Sequence, residues 1–172
     1  MRRFLSFPNP VNEVAARSVA TGVVALIVVA LTTGQAWISA LIAYGFVARV
    51  LCGPRLSPLG RVATQLVAPR LVQYASYVPG PPKRFAQGLG ALFSLSATSL
   101  WLAGEPTACL VVLGILALPA TLEAALGLCI GCELFKIGMR FGVVPESICL
   151  ECADIYSKSA QQRRLAVTDR VT

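Results

Sequence analysis

Residues 14–51 read VAARSVATGVVALIVVALTTGQAWISALIAYGFVARVL. The first half, Val14 to Leu31, carries one charge, Arg17, near its start. At about 1.5 Å of rise per residue it is long enough to cross most of a hydrocarbon core about 30 Å thick. Ala36 to Leu51 is shorter and ends in Arg49, so the turn around Thr33, Gly34 and Gln35 completes a tight hairpin between two membrane spans. Downstream, Phe85 to Ala103 and Thr107 to Leu128 form a second such pair, separated by Gly104, Glu105 and Pro106, with proline at a helix start.

The composition agrees with this reading. Of 172 residues, 56% are apolar and 13% charged, and the mean hydropathy is +0.71. A soluble domain carries roughly a quarter charged residues, so these values argue for a membrane protein and against a water-soluble enzyme. Histidine is absent, which removes imidazole bases, His-bearing triads, axial haem histidines and mixed Cys/His zinc sites. Any metal would have to be held by cysteine or carboxylate.

The basic residues set the orientation, because retained Lys and Arg mark the cytoplasmic side. Arg2, Arg3 and Arg17 precede or open the first span; Arg49, Arg55, Arg61, Arg70, Lys83 and Arg84 lie between spans two and three; Lys136, Arg140, Lys158, Arg163, Arg164 and Arg170 follow span four. All fifteen therefore fall on one side, and Trp37 and Trp101 sit beside the two opposite hairpins, as interfacial tryptophans do. The expectation is a protein of the bacterial cytoplasmic (inner) membrane with both termini cytoplasmic. A cleaved export signal ending near Ser39 and Ala40 is the rival reading, and three further apolar segments argue against it. The net charge of +7 is accounted for by topology and anionic lipid, without nucleic acid.

Between spans two and three, Ser57-Pro58 reads as a helix start, and Leu59, Val62, Leu66 and Val67 recur at helical spacing. This predicts an amphipathic helix over about 58–68 on the inner membrane surface, ended by Pro69. Pro79-Gly80-Pro81-Pro82 reads as a stiff linker that delivers Lys83 and Arg84 to span three. In span three, Gly88, Gly90, Ser94, Ala97 and Thr98 permit close helix contact in lipid.

Four of the six cysteines form two pairs, Cys129-Ile-Gly-Cys132 and Cys149-Leu-Glu-Cys152, separated by sixteen residues. That spacing suits a four-thiolate zinc site, since two close pairs can each supply two tetrahedral corners. Cys129 and Cys132 end span four in this reading, and Leu134, Ile137 and Phe141 continue at helical spacing. Pro145-Glu146-Ser147 starts a second helix before Cys149 and Cys152, giving a cytoplasmic helical hairpin turned at Gly142. Such a hairpin presents two dithiols and suits either a metal clamp or a relay of electrons or sulfane sulfur. A thiolate near Lys136 or Arg140 would have its pKa lowered and its reactivity raised. Isolated Cys52 and Cys109 read as small packing residues.

Glu123 is the other candidate. It lies six residues before Cys129, about 9 Å by helical rise, inside the inner leaflet, where a carboxylate needs a partner. Arg49 and Arg17 are the partners at matching depth. One reading is a structural ion pair; the sharper one is that Glu123 with Arg49 lines a polar pocket opening toward Cys129 and Cys132.

Several motifs together carry a family resemblance. Pro10-Val11-Asn12-Glu13 with Arg17, Pro54-Arg55-Leu56-Ser57-Pro58, Pro82-Lys83-Arg84-Phe85-Ala86-Gln87, and Glu123 followed by Gly127, Cys129, Gly131 and Cys132 resemble the bacterial membrane family catalogued as domain of unknown function 4395. The resemblance runs to about Pro145 and implies a small polytopic membrane protein in a thiol or sulfur context, beside rhodanese-like and thioredoxin-like proteins.

The expected architecture is all-α, with four transmembrane helices over 1–132, an inner-surface helix, and a cysteine-bearing hairpin with a basic tail over 133–172. The expected function is thiol redox or sulfur (persulfide) handling, not as a stand-alone enzyme. Cys129 and Cys132 serve as the reactive dithiol, Cys149 and Cys152 as a resolving pair, and Glu123, Arg49 and Arg17 as a polar intramembrane site. The lipid bilayer surrounds it, and a thioredoxin-like or rhodanese-like protein would dock on the cytoplasmic face. Two alternatives stand beside this: a non-enzymatic scaffold with zinc on the four cysteines, and a transporter of small anions or sulfur compounds built around Glu123, Arg17, Arg49 and Pro119, which four spans would favour more as a homo-oligomer.

Overall fold

The computed structural model describes residues 9–71, 73 and 76–143. Asn12 holds an extended conformation and its Oδ1 accepts from the N–H groups of Val14 (2.9 Å) and Ala15 (3.4 Å), which starts helix α1, Glu13–Thr33. Gly34, at φ 69°, closes it. Helix α2 spans Ile38–Cys52. Helix α3 begins at Pro58–Val62 behind the Ser57 cap and runs through a π-helical turn at Ala63–Val67 into Ala68–Arg70. Helices α4, Gly80–Leu102, and α5, Pro106–Leu126, form the second hairpin, and α6, Ile130–Arg140, follows. A short antiparallel ribbon, β1 (Val11–Asn12) with β2 (Tyr77–Val78), ties the start of α1 to the start of α4.

Among the described residues, four helical stretches are long and apolar enough to cross a membrane: Glu13–Thr33, Ile38–Arg70, Gly80–Leu102 and Pro106–Leu126. The helices pack as a ring in which α1 adjoins α2 and α5, while α4 adjoins α2 and α5. Inside the ring, Val23, Ile27, Ala30, Ile42, Ala97 and Leu113 are buried. Outside it, Val28, Leu41, Leu92, Leu95, Val111 and Leu118 are exposed. An outer face this apolar is suited to lipid and not to water, so the chain is a membrane protein.

With no hydrophobic drive between helices in lipid, close contact does the holding. Phe46 of α2 packs directly on Gly90 of α4, where an added Cβ would lie 2.2 Å from the ring. Thr98 Oγ1 donates to Ser39 Oγ across the same pair of helices at 3.2 Å. Cys52 and Cys109 are buried, and Cys109 Sγ donates to the Ala36 carbonyl at 3.7 Å, in keeping with a packing role.

Two boundaries differ from expectation in ways that reshape the site. Span three starts at Gly80, because Pro79-Gly80-Pro81-Pro82 opens the helix instead of forming a linker; first-turn residues need no N–H partner, so proline fits there. Span four stops at Leu126, because Gly127 adopts the left-handed conformation (φ 70°) that ends a helix. Cys129 and Cys132 therefore open α6 instead of closing span four. A helix is present from Pro58, as expected, but it runs to Arg70, so Pro69 falls inside its last turn instead of ending it. Cys149, Cys152 and the second arm of the expected hairpin lie outside the described residues.

Candidate functional site

The start of α1, the ends of α2 and α5, the start of α4, and α3 and α6 gather at one end of the bundle. The Lys and Arg side chains among the described residues all belong to these segments or, for Arg55, to the turn that joins α2 to α3, so this is its basic end. Here Lys83 Nζ and Glu123 Oε1 form an ion pair at 2.6 Å, with side-chain exposures of 7% and 15%. This corrects the expected pairing of Glu123 with Arg49 and Arg17. Because α4 begins before Lys83 instead of after it, the lysine is carried inside the ring toward α5.

Arg49 is 4% exposed and stays within electrostatic reach of Glu123, but its bonds go elsewhere. Its Nε donates to Gln87 Oε1 at 2.8 Å and its Nη1 to Ser57 Oγ at 2.9 Å, and the guanidinium lies 4.6 Å over the Phe46 ring. Arg17 donates from Nη2 to the Ala125 carbonyl at 2.8 Å and from Nε and Nη2 to that of Ala124 at 3.3 Å, so it caps the C-terminus of α5.

Cys129 occupies the N-cap position of α6 and Cys132 its first turn. The helix is pressed onto α4: a Cβ on Gly131 would lie 2.6 Å from Ala86 Cα and Cβ, and Phe85 packs at a tilt of 57° against Phe135 with centroids 5.7 Å apart. The Cys129 thiol is held below the ordinary thiol range, chiefly by the hydrogen bond that the Cys132 thiol donates to it. Nearby Lys83 and the Cys132 backbone N–H act in the same direction, against burial and Glu123. The Cys132 thiol is pushed up for the complementary reason, since it is the donor in that bond and is itself buried. Of the two protons, the one on Cys129 leaves first. A cysteine at a helix N-terminus, beside a cation and bonded by its partner, is the arrangement that makes a reactive thiolate.

Cavities meet the dithiol on two sides. One of about 380 Å³ runs up the bundle between α1, α4, α5 and α6; its wall is apolar apart from Gln87, Glu123 and Cys129. The other, about 280 Å³, has charged side chains in its wall: Glu13, Lys83, Glu133 and Lys136 line it together with Cys129, Cys132 and apolar residues such as Val78 and Leu128. Cys129 belongs to both and Cys132 only to the second. Among the described residues no group of three or more His, Cys, Asp or Glu side chains gathers as a metal site. Cys129 and Cys132 could supply two corners of a four-thiolate cage, whose other two, Cys149 and Cys152, lie outside those residues.

Lys83 and Gln87 were not singled out as site residues by the sequence reading. Their spacing of four on α4 places them on one helix face, and the signal that could have found them was the Pro81-Pro82 pair, once read as a first helical turn.

No curated protein and no solved structure matches the chain. The family model described as Domain of unknown function (DUF4395) matches residues 11–140. That match runs from β1 to the end of α6 and takes in the ion pair, Arg49 and the dithiol, so the chain belongs to the DUF4395 family.

Proposed function

We propose that this protein is a membrane component of thiol redox or sulfur handling, with Cys129 and Cys132 as its working dithiol. The observation that carries the reading is the placement of Cys129 at the N-cap of α6, bonded by Cys132 and facing Lys83. The concentration of Lys and Arg at that end supports a cytoplasmic basic end in the inner membrane, with α3 along the inner surface. The cavity against both thiols, bordered by Glu13, Lys83, Glu133 and Lys136, suits a thioredoxin-like or rhodanese-like protein, which would approach from the cytoplasm. Cys149 and Cys152 would resolve the disulfide or persulfide formed on the first pair.

The test is alkylation of each cysteine as a function of pH, read by mass spectrometry on protein in lipid nanodiscs. Cys129 is expected to react with a midpoint below the ordinary thiol value of about 8.5. Cys132→Ala removes the donated hydrogen bond, so the midpoint should move to higher pH. A Cys129 midpoint at or above the ordinary value would sink the reading. The second reading, a structural zinc cage, is favoured by the contact between the two thiols; in that case Cys129 would become alkylatable only after chelation, with about one zinc released per chain.

A further inference from the structure

We infer that the apolar cavity is the binding site for a lipid-soluble quinone, which exchanges two electrons with the Cys129–Cys132 dithiol. The inference rests on the dithiol reading above and names its membrane-side partner. A dithiol that turns over needs a two-electron acceptor or donor, and the cavity that adjoins both thiols is bordered by Glu13, Lys83, Glu133 and Lys136, which suits a partner arriving from water.

The apolar cavity is built differently. At its inner end it presents Cys129, Glu123 and Gln87, and farther out its wall includes Phe93, Ile115 and Leu118, which are 38%, 48% and 68% exposed. Those three residues belong to the lipid-facing surface of α4 and α5. On α6, Ile130 and Leu134 continue the same exposed apolar rim. No lysine or arginine lines the cavity, so its mouth opens on hydrocarbon and its occupant arrives from the bilayer. Its volume of about 380 Å³ falls within the range of small-molecule sites, about 300–1,000 Å³.

A polar end bearing a thiol, a carboxylate and an amide, followed by an apolar channel, matches a molecule with a redox-active ring and an isoprenoid tail. Gln87, whose Oε1 accepts from Arg49, can turn its amide N–H groups to a ring carbonyl. The chemistry balances as follows. The Cys129 thiolate and the Cys132 thiol form an S–S bond and lose two electrons, and the quinone takes up both. The Cys132 proton and one proton from water, passed through the Lys83–Glu123 pair, end on the two ring oxygens as quinol. The reverse reaction would reduce the disulfide at the expense of quinol.

The test uses the full chain, reduced, in anaerobic lipid nanodiscs, with decylubiquinone as probe. Expected are one quinol and one Cys129–Cys132 disulfide per chain, with the disulfide mapped by mass spectrometry. Ala120→Phe on α5 and Ala20→Phe on α1 fill the cavity from two different helices. Each should slow quinol formation more than tenfold, while the Cys129 alkylation rate at pH 7 reports an intact dithiol. Two substitutions on different helices, each checked by thermal unfolding, guard against a folding defect in one. Disulfide formation with diamide but not with decylubiquinone would overturn the quinone site and leave the dithiol reading standing. Failure to form the Cys129–Cys132 disulfide with either oxidant would overturn both. Quinol formation at the wild-type rate in both folded variants would overturn the cavity as its site.

Discussion

Replacing Lys83 by Met removes the charge at the centre of the basic end while keeping most of the side chain's length. Lys83 Nζ and Glu123 Oε1 are 2.6 Å apart, with side chains 7% and 15% exposed. At that separation the gross attraction is about 6 kcal/mol for an effective dielectric of about 20. Much of this offsets the cost of taking both ions out of water. Losing one partner strands the other, so the variant should be destabilised by about 3–5 kcal/mol. For a chain of 172 residues each kcal/mol corresponds to about 2–4 °C, which puts the fall in the thermal midpoint near 10 °C. The assay is thermal unfolding in nanodiscs, followed by the fluorescence of Trp37 and Trp101. Removing both charges in Lys83→Met, Glu123→Leu should recover more than half of the loss, because no uncompensated ion then remains. Lys83 also helps to hold the Cys129 thiol down. In the single variant the thiolate fraction at pH 7 therefore falls, and alkylation of Cys129 slows. A midpoint lowered by less than about 2 °C, with no benefit from the second change, would refute the desolvated pair. Unchanged Cys129 reactivity would refute the role of Lys83 at the dithiol.

The remaining predictions concern how the site is held. Gly131→Val places its Cβ against the Ala86 backbone and should cost about 1–3 kcal/mol by overpacking, with altered Cys129 alkylation as α6 shifts. By contrast Gly88→Ala meets nothing within 4 Å and should raise the thermal midpoint slightly, since alanine favours the helix by about 0.5–1 kcal/mol. Ser57→Ala removes the oxygen that accepts from Arg49 Nη1 and from the Gly60 N–H, and should cost about 1–2 kcal/mol in the same unfolding assay. Gly127→Ala forces a left-handed turn on a residue with a side chain. A loss of about 1–2 kcal/mol is expected, and no loss would mean that α5 does not end there.

What the sequence determined by itself was whatever a period, a length or a charge count can carry. The four spans were legible because lipid demands about 20 apolar residues per crossing, whatever their neighbours. The gathering of the Lys and Arg of the described residues at one end of the bundle was legible for a similar reason, since it needs only chain order. The helix at Ser57-Pro58 followed from its cap, and Cys129-x-x-Cys132 from its spacing. Tertiary structure alone decided who meets whom. Glu123 found Lys83 because the two prolines at Pro81-Pro82 extend α4 by a turn and carry the lysine inward, whereas Arg49 was claimed by Gln87, Ser57 and Phe46, and Arg17 by the carbonyls that end α5. The position of the cysteines turned on one left-handed glycine, Gly127, which ends α5 early and leaves Cys129 to open α6. Ionic pairing and thiol reactivity depend on distances of a few ångströms between helices far apart in sequence, and only packing sets those distances.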